Sequence, residues 1–237
     1  MNLLLLSPND LINPQQAKIT GRQLQHIQQI YNSHVGDTLC VGLINGNMGT
    51  GTICHLDADH AMINNIQLNI PPPPKLPITL LLALPRPKML RRVFQTIATM
   101  GVSKLVLINS YKVEKSFWQT PLLNADNITQ QLLLGLEQAK DTVLPDVQLK
   151  KRFKPFVEDE LPQLCQSSQN FIAHLGNYLP CPSLPNQPVT LAIGPEGGWI
   201  DYEVNKLTQL GFNPIQLGQR ILRVETAVTA LVTKLYY

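Results

Sequence analysis

The first 70 residues open with a helical pattern of apolar positions. Leu24, Ile27 and Tyr31 recur at the spacing of one helix face. Thr20 and Gln23 stand three residues apart just before this face, as in a capping box, where each side chain satisfies a free backbone donor of the other residue. We therefore expect a helix that begins at Thr20 and buries its Leu24 side.

Short strand patterns follow this helix. Strands are predicted over residues 38–44 and 51–56, which flank Asn45-Gly46, a dipeptide typical of tight hairpin turns. Residues 61–70 predict one or two further strands. A small β-barrel-like domain is the natural closure for strands this short.

Prolines at 71–74 and at 77 mark a boundary in the chain. Four consecutive prolines favour an extended polyproline II conformation and cannot continue a helix or a central strand. We therefore divide the chain into a β-rich domain over 1–70, a linker over 71–77 and a second domain over 78–237.

Strand and helix patterns alternate in the second domain. The continuous apolar run at 78–84 predicts a strand buried on both faces, and Pro87 can open the helix that follows, which Gly101 can end. The predicted apolar face of this helix consists of Met89, Val93, Ile97 and Met100. Later strands are predicted over 105–108, 171–174 and 189–193, helices over 127–141, 201–211 and 224–237, and a long loop over 177–188. Strands separated by helices indicate an α/β fold with a largely parallel sheet.

Composition narrows the class of protein. Hydrophobic residues make up 44% of the 237-residue chain and charged residues 15%, which supports a packed core and excludes a disordered chain. The longest apolar runs are far shorter than the ~20 residues of a membrane-spanning helix, and no secretory signal is expected. The four cysteines form no CxxC pair, so we expect reduced thiols in a cytoplasmic protein. Because no apolar run is long enough to span a membrane, we also expect no contact with one.

Charge is unevenly distributed along the chain. Residues 1–70 contain two basic and four acidic residues, whereas the rest of the chain contains 17 basic and 12 acidic residues. Two basic clusters stand out there, one of Arg86, Lys88, Arg91 and Arg92, the other of Lys150, Lys151, Arg152 and Lys154. Such clusters can neutralise the phosphates of RNA, although a solvated surface would have the same composition.

Three predicted strand ends lead into segments with unusual chemistry. We name them the histidine loop (174–177), the glycine loop (194–198, Gly-Pro-Glu-Gly-Gly) and the arginine loop (217–223, Leu-Gly-Gln-Arg-Ile-Leu-Arg). Ligands of parallel α/β sheets bind beyond the carboxyl ends of the strands. The glycine loop removes side chains where a ligand could approach the backbone, but it matches neither a P-loop nor GxGxxG. A nucleoside-type ligand is therefore compatible with these loops and a triphosphate is disfavoured, while a purely structural turn remains the alternative.

The histidines predict no metal site. His26, His34, His55 and His60 lack HExxH spacing and show no carboxylates arranged as metal ligands, so we interpret them as ordinary polar residues. His174 stands at a strand end beside the three loops and is the one histidine that we consider for the site.

The glycine loop preceded by Ile193, combined with the segment 217–227 (Leu-Gly-Gln-Arg-Ile-Leu-Arg-Val-Glu-Thr-Ala), resembles the ribosomal RNA small-subunit methyltransferase E family of the SPOUT superfamily. This family methylates N3 of a uridine in 16S ribosomal RNA of the small ribosomal subunit. The resemblance implies a PUA-like β-barrel at 1–70 for RNA binding, a trefoil-knot α/β domain at 78–237, a homodimer and S-adenosylmethionine as cofactor.

The resemblance also implies roles for individual residues. One wall of the cofactor site would consist of Ile193, Gly194, Glu196, Gly197 and Gly198. The other wall would consist of Leu217, Gly218, Ile221, Leu222 and Arg223. His174, Leu175 and Gly176 stand where the family has a histidine-containing loop after a strand.

The implied chemistry needs help at the uracil nitrogen, because a neutral N3–H is a poor nucleophile. We assign Arg220 as the cation that stabilises the developing imide anion and Glu196 as a candidate base. The alternative to an enzyme is a non-catalytic RNA-binding or ribosome-assembly factor that retains the fold. An enzyme that uses another nucleoside cofactor is disfavoured, because phosphate-binding motifs are absent.

Overall fold

The computed structural model describes residues 2–30, 32–185 and 187–237. Tyr31 of the predicted helix face and residue 186 of the predicted loop lie outside the described residues. Contacts between Cα atoms group the chain into two compact units. The first unit consists of residues 1–74 and 133–144, and the second consists of residues 75–132 and 145–237.

A six-stranded mixed sheet forms most of the first unit. Its strands are β1 (Leu4–Leu6), β2 (Leu11–Asn13), β3 (Gln16–Ile19), β4 (Thr38–Leu43), β5 (Met48–Leu56) and β6 (Ala61–Ile70). They are hydrogen-bonded in the order β1-β4-β5-β6-β3-β2, with β1 parallel to β4 and the other neighbours antiparallel. Both end strands, β1 and β2, are edges of this ladder in the described residues, so a closed PUA-like barrel stays a prediction.

The core of the first unit follows the strand alternation. Buried aliphatic side chains from β1, β3, β4, β5 and β6 pack together with Leu24 and Ile27. The helix that carries these two residues is α1 (Gly21–Gln25), which continues as a π-helical turn over His26–Ile30. The predicted capping box is wrong, because Thr20 makes no side-chain cap and the Gln23 amide instead donates to the carbonyl of Leu5. The start of the helix is therefore stabilised by a tertiary hydrogen bond to β1 rather than by a local cap.

Residues 133–144 belong to the first unit through specific bonds. Glu137 is buried and binds Arg22 in a bidentate pair, with Nη1–Oε2 at 3.0 Å and Nη2–Oε1 at 2.5 Å. The backbone N–H of Leu3 donates to the carbonyl of Glu137 at 2.9 Å. A buried carboxylate requires such a partner, and the paired oxygens of Glu137 match the planar guanidinium of Arg22.

A seven-stranded sheet in which every pair is parallel forms the second unit. Its strands are β7 (Leu76–Ala83), β8 (Val102–Ile108), β9 (Asp146–Lys150), β10 (Gln169–Ala173), β11 (Leu179–Pro180), β12 (Val189–Ile193) and β13 (Asn213–Gln216), in the order β11-β13-β10-β12-β7-β8-β9. Its helices are α2 (Pro87–Thr99), α3 (Ala125–Ala139, which ends in the first unit), α4 (Phe153–Pro155), α5 (Leu161–Cys165), α6 (Asp201–Gln209) and α7 (Val224–Tyr236), with a π-helical turn over Phe156–Glu160. The predicted α/β fold with a parallel sheet is confirmed.

The ends of helix α2 agree with the sequence prediction, whereas its buried face agrees only in part. Pro87 occupies the first helical position, and Gly101 follows the helix with φ +71°, the left-handed conformation that ends many helices. The predicted buried face is wrong in part, because Met89 and Met100 are only half-buried. The buried positions are Leu90, Val93, Phe94, Ile97 and Ala98, a stripe at i, i+3, i+4, i+7 and i+8.

No helix in the described part of the chain is both long and apolar enough to cross a membrane.

Candidate functional site: a cavity at the carboxyl edge of the parallel sheet

Three adjacent strands bring the three loops together. Strand β10 lies between β12 and β13 in the sheet, so the histidine, glycine and arginine loops leave the same edge side by side. A cavity of about 330 Å³ lies at this edge, lined by these loops and by the first turns of α7. Its volume falls in the range of about 300–1,000 Å³ that is typical of small-molecule sites.

Most of the residues predicted for the cofactor line this cavity. They are His174, Leu175, Ile193, Gly194, Glu196, Gly197, Gly198, Leu217, Gly218, Ile221 and Leu222, together with Arg220. Gly176 and Arg223 lie outside the lining. A Cβ on Gly176 would approach the Tyr178 ring to 2.5 Å, so this glycine accommodates Tyr178, and Arg223 precedes the first residue of α7 as its exposed N-cap.

Three hydrogen bonds hold the glycine loop in place. Its turn is closed by the Gly198 N–H, which donates to the carbonyl of Pro195 at 2.8 Å, and Gly198 has φ +71°. The Lys112 ammonium donates to the carbonyl of Gly197 at 2.7 Å. The Glu196 carboxylate accepts the backbone N–H of Arg86 at 3.1 Å. This bond places a negative charge at the N-terminus of α2, where a helix dipole favours it.

Buried Glu203 stabilises the backbone that follows the glycine loop. One carboxylate oxygen accepts the Ser110 hydroxyl at 3.1 Å and the Ile200 N–H at 3.1 Å, and the other accepts the Tyr111 N–H at 2.7 Å. The carboxylate thus joins the end of β8 to the start of α6. Sequence reasoning missed this residue, although an acid at the third helical position is itself a capping signal.

Trp199 forms the floor of the cavity beneath the glycine loop. Its side chain is 5% exposed and packs near Phe153 at 6.3 Å between ring centroids, and its indole Nε1 has no hydrogen-bond partner among the described residues. A Cβ built on Gly194 would lie 3.1 Å from this Nε1. The glycine therefore gives the indole its space.

The arginine loop forms the opposite wall and is largely apolar. Leu217, Ile221 and Leu222 are 40%, 79% and 38% exposed and line the same cavity, so they form one apolar patch of the kind that marks ligand-binding grooves. Gly218 has φ +126° and open space where a Cβ would be. One apolar wall facing one wall of backbone amides and carbonyls fits a nucleoside, whose flat base is apolar on its faces and whose sugar is polar.

The half-buried His174 ends β10 at the cavity. Burial lowers its pKa below the ordinary value, the nearby Asp201 carboxylate opposes this shift, and the Lys112 ammonium adds to it. The imidazole therefore favours its neutral form more strongly than an ordinary histidine does.

The two basic clusters differ in how far nearby acidic side chains compensate their positive charges. Arg86, Lys88, Arg91 and Arg92 are exposed around the start of α2, beside the glycine loop. In the other cluster, Lys150 pairs with Glu160 at 2.5 Å, and its ammonium lies 5.9 Å from the centroid of the Phe156 ring. Lys151, Arg152 and Lys154 are exposed, with Lys154 close to the charge of Glu158. The first cluster is the stronger candidate for a phosphate surface.

A second cavity of about 370 Å³ opens at the opposite edge of the sheet. Polar residues near the amino ends of β7, β10 and β12 line it, among them Thr79, Gln166, Ser168 and Thr190. Because parallel α/β sheets bind ligands at their carboxyl edges and the glycine loop lies there, the chemistry belongs to the smaller cavity.

The first unit corrects one expectation about the histidines. Asp57 lies between His55 and His60, with its carboxylate 2.7 Å from His55 Nε2 and 3.3 Å from His60 Nδ1. The hairpin between β5 and β6 folds these three residues together, whereas the sequence was interpreted as offering no such carboxylate.

Comparison with known proteins identifies relatives over most of the chain. The ribosomal RNA small subunit methyltransferase E of Treponema pallidum is 25% identical, aligned over 97% of this chain and 88% of its own. The protein of the same name from Synechocystis is 28% identical over 98% of this chain and 76% of its own. A ribosomal RNA small subunit methyltransferase E from Neisseria gonorrhoeae, solved bound to S-adenosyl methionine, has a similar fold with a TM-score of 0.74 and 18% identity, covering 98% of this chain and 95% of its own.

These relatives confirm the resemblance that the glycine and arginine loops predict. The RNA methyltransferase domain family matches residues 72–236, which include every loop of the cavity. The chain belongs to the RNA methyltransferase domain family, among the relatives of ribosomal RNA small subunit methyltransferase E.

Proposed function

We propose that this protein transfers a methyl group from S-adenosylmethionine to N3 of a uridine in 16S ribosomal RNA, in the cytoplasm and as a homodimer. The observation that carries the proposal is the convergence of the histidine, glycine and arginine loops on one cavity of nucleoside size. The names of the full-length relatives and the S-adenosyl methionine bound to the Neisseria protein support the choice of reaction and cofactor.

The walls of the cavity divide the work of holding the cofactor. Ile221, Leu222 and Leu217 would hold the adenine base on an apolar surface, and the backbone of Gly194 and Gly197, which carries no side chains, would bind the sugar. When bound, S-adenosylmethionine would supply an electrophilic methyl group on a positively charged sulfur. The chain then has to orient the uracil N3 in line with that methyl, which can provide much of the rate enhancement.

Arg220 is the group that we assign to the uracil. The residue lines the cavity, and its cationic guanidinium can stabilise the negative imide that remains when N3 gives its proton to a base or to solvent. The role of Glu196 as a base stays a prediction, since its carboxylate also accepts the N–H of Arg86. Positioning and charge stabilisation by Arg220 therefore come first in the mechanism.

The experiment uses small ribosomal subunits from a bacterial strain without its own enzyme for this modification. We expect saturable binding of S-adenosylmethionine by calorimetry and transfer of one methyl group, located on uridine N3 by mass spectrometry of the digested 16S RNA. Cofactor binding without transfer to subunits or to naked RNA would contradict the proposal and favour the non-catalytic assembly factor.

A pair of arginine variants tests the mechanism. Arg220→Ala should lower the single-turnover rate at saturating cofactor and RNA by about 10²–10³-fold, the usual loss on removing one group that stabilises an oxyanion. Arg223→Ala is the matched control, because Arg223 belongs to the same loop but lies outside the cavity lining. Equal rates for both variants would refute the role of Arg220.

A further inference from the structure

We propose that His55, Asp57 and His60 form a binding site for a divalent transition-metal ion, with Zn²⁺ as the best chemical match. One ligand atom from each residue lies within 4.8 Å of the others. Two imidazoles and one carboxylate are a common donor set for zinc, whereas Mg²⁺ and Ca²⁺ prefer oxygen ligands alone. The proposal is independent of the methyltransferase reaction.

The backbone around this site is fixed by several hydrogen bonds. The Asp57 N–H donates to the carbonyl of His60 at 3.1 Å and closes the hairpin turn, which ends where Leu56 pairs with Ala61. The Gln28 amide donates to the carbonyl of Asp57 at 2.6 Å. The ligands are thus attached to an ordered turn, so little conformational entropy opposes binding of an ion.

A β-bulge explains why His55 reaches the turn. The register of β5 with β6 shifts between Ile53 and His55, and the strand alternation breaks there, so that Cys54 and His55 are both exposed. Bulges redirect side chains and are over-represented next to functional sites. Without the bulge, strict alternation would place Cys54 and His55 on opposite faces of the strand.

The carboxylate is already prepared as a ligand. Asp57 Oδ1 accepts the backbone N–H groups of Asp59 and His60 at 2.8 Å each, and Oδ2 lies 2.7 Å from His55 Nε2. These bonds hold the carboxylate in one orientation beside both imidazoles.

Small side-chain rotations complete the coordination geometry. Ligand atoms about 2.1 Å from one zinc ion can be at most about 4.2 Å apart. The exposed His55 ring has room to rotate toward His60, whose ring centroid is 4.9 Å away. Three protein ligands leave one tetrahedral position for water, and the ion would add two positive charges to a domain that contains four acidic and two basic residues.

Titration calorimetry of the full chain with ZnCl₂ tests the proposal. We use a Cys54→Ser background, because this exposed thiol is close to the site and could itself bind zinc. We expect one ion per chain and no binding of MgCl₂. His55→Ala and His60→Ala should each weaken zinc binding at least tenfold, and CoCl₂ should give the visible absorption of a tetrahedral cobalt site.

Two further variants make the test decisive. His34→Ala is the matched control, because His34 is an exposed histidine 4.0 Å from Asp37 in the same domain and, within the described part of the chain, has no third ligand beside it. Zinc binding should therefore be unchanged. Asp57→Asn keeps an oxygen that accepts the turn's N–H groups, so the fold should survive while zinc affinity falls. Absence of zinc binding at millimolar concentration, or binding that His55→Ala and His60→Ala leave unchanged, would overturn the proposal.

Discussion

Gly194→Ala tests whether the glycine loop is shaped by the indole beneath it. The new Cβ would lie 3.1 Å from Trp199 Nε1 and 3.2 Å from two further atoms of the same pyrrole ring. These distances are a few tenths of an ångström shorter than ordinary carbon contacts, and the indole is 5% exposed and packed near Phe153. Any shift of the ring therefore has to displace its packing neighbours or enter the cavity that it lines.

Overpacking of this kind costs about 1–3 kcal/mol in protein cores. For a chain of this size each kcal/mol lowers the melting temperature by about 2–4 °C, so Gly194→Ala should lower it by about 2–12 °C. Affinity for S-adenosylmethionine should also fall, because Gly194 and Trp199 both line the cavity. Thermal unfolding followed by circular dichroism and calorimetry of cofactor binding measure the two effects.

A double-mutant cycle assigns the cost to the indole. Trp199→Ala removes the whole indole and with it the three close contacts, so Gly194→Ala should be nearly neutral in that background. The expected coupling is about 0.5–3 kcal/mol. Gly197→Ala is the control, because the three atoms nearest its Cβ all belong to the Lys112 side chain, with Cδ at 2.9 Å, and a lysine side chain can rotate where a buried indole cannot. If Gly194→Ala costs no more than the control, or costs the same with Ala at 199, the explanation is wrong.

Three further outcomes are expected. Gly198→Ala places a Cβ in open space but at φ +71°, so denaturant melts should show a loss of about 1–2 kcal/mol from backbone strain alone. The pKa of His174 is lower in the folded protein than its ordinary 6.5, so the unfolded chain binds more protons below that pH. The free energy of unfolding should therefore rise with pH up to about 6.5. His174→Gln should remove this part of the rise. Replacing Arg91 and Arg92 together by Gln should flatten the salt dependence of RNA binding by about 0.7 in log–log slope for each lost contact to single-stranded RNA, and an unchanged slope would place RNA elsewhere.

The sequence predicts best those elements that are buried on both faces. Strands β7 and β12 were predicted because central parallel strands are continuous apolar runs. Strand β9 (Asp146–Lys150) was missed, since it is a half-buried edge strand with polar residues in alternation. Strand β1 was missed because three leucines acquire strand character only by pairing with β4, more than 30 residues away.

In the candidate site, too, the features set by neighbouring residues were predicted and those set by residues distant in the sequence were not. Glycines after strands are visible in the sequence, and they locate the cavity. The groups that hold the glycine loop are not visible there, because Lys112 and Glu203 act on segments about 85 to 93 residues away along the chain. The bulge that redirects His55 is likewise a property of strand pairing and leaves no composition signal.

The two walls of the cavity differ in how firmly they are held, and this difference bears on how the site works. The glycine loop is bonded to Lys112 and to the N–H of Arg86, and Glu203 fixes the start of the following helix. The arginine loop exposes Ile221 at 79% and Leu217 at 40%, so its apolar surface is uncovered in the isolated chain. Covering that surface provides a hydrophobic driving force for binding, whereas the braced wall provides the fixed geometry. We therefore expect affinity for the cofactor to depend mainly on the arginine loop and alignment of the reacting atoms mainly on the glycine loop.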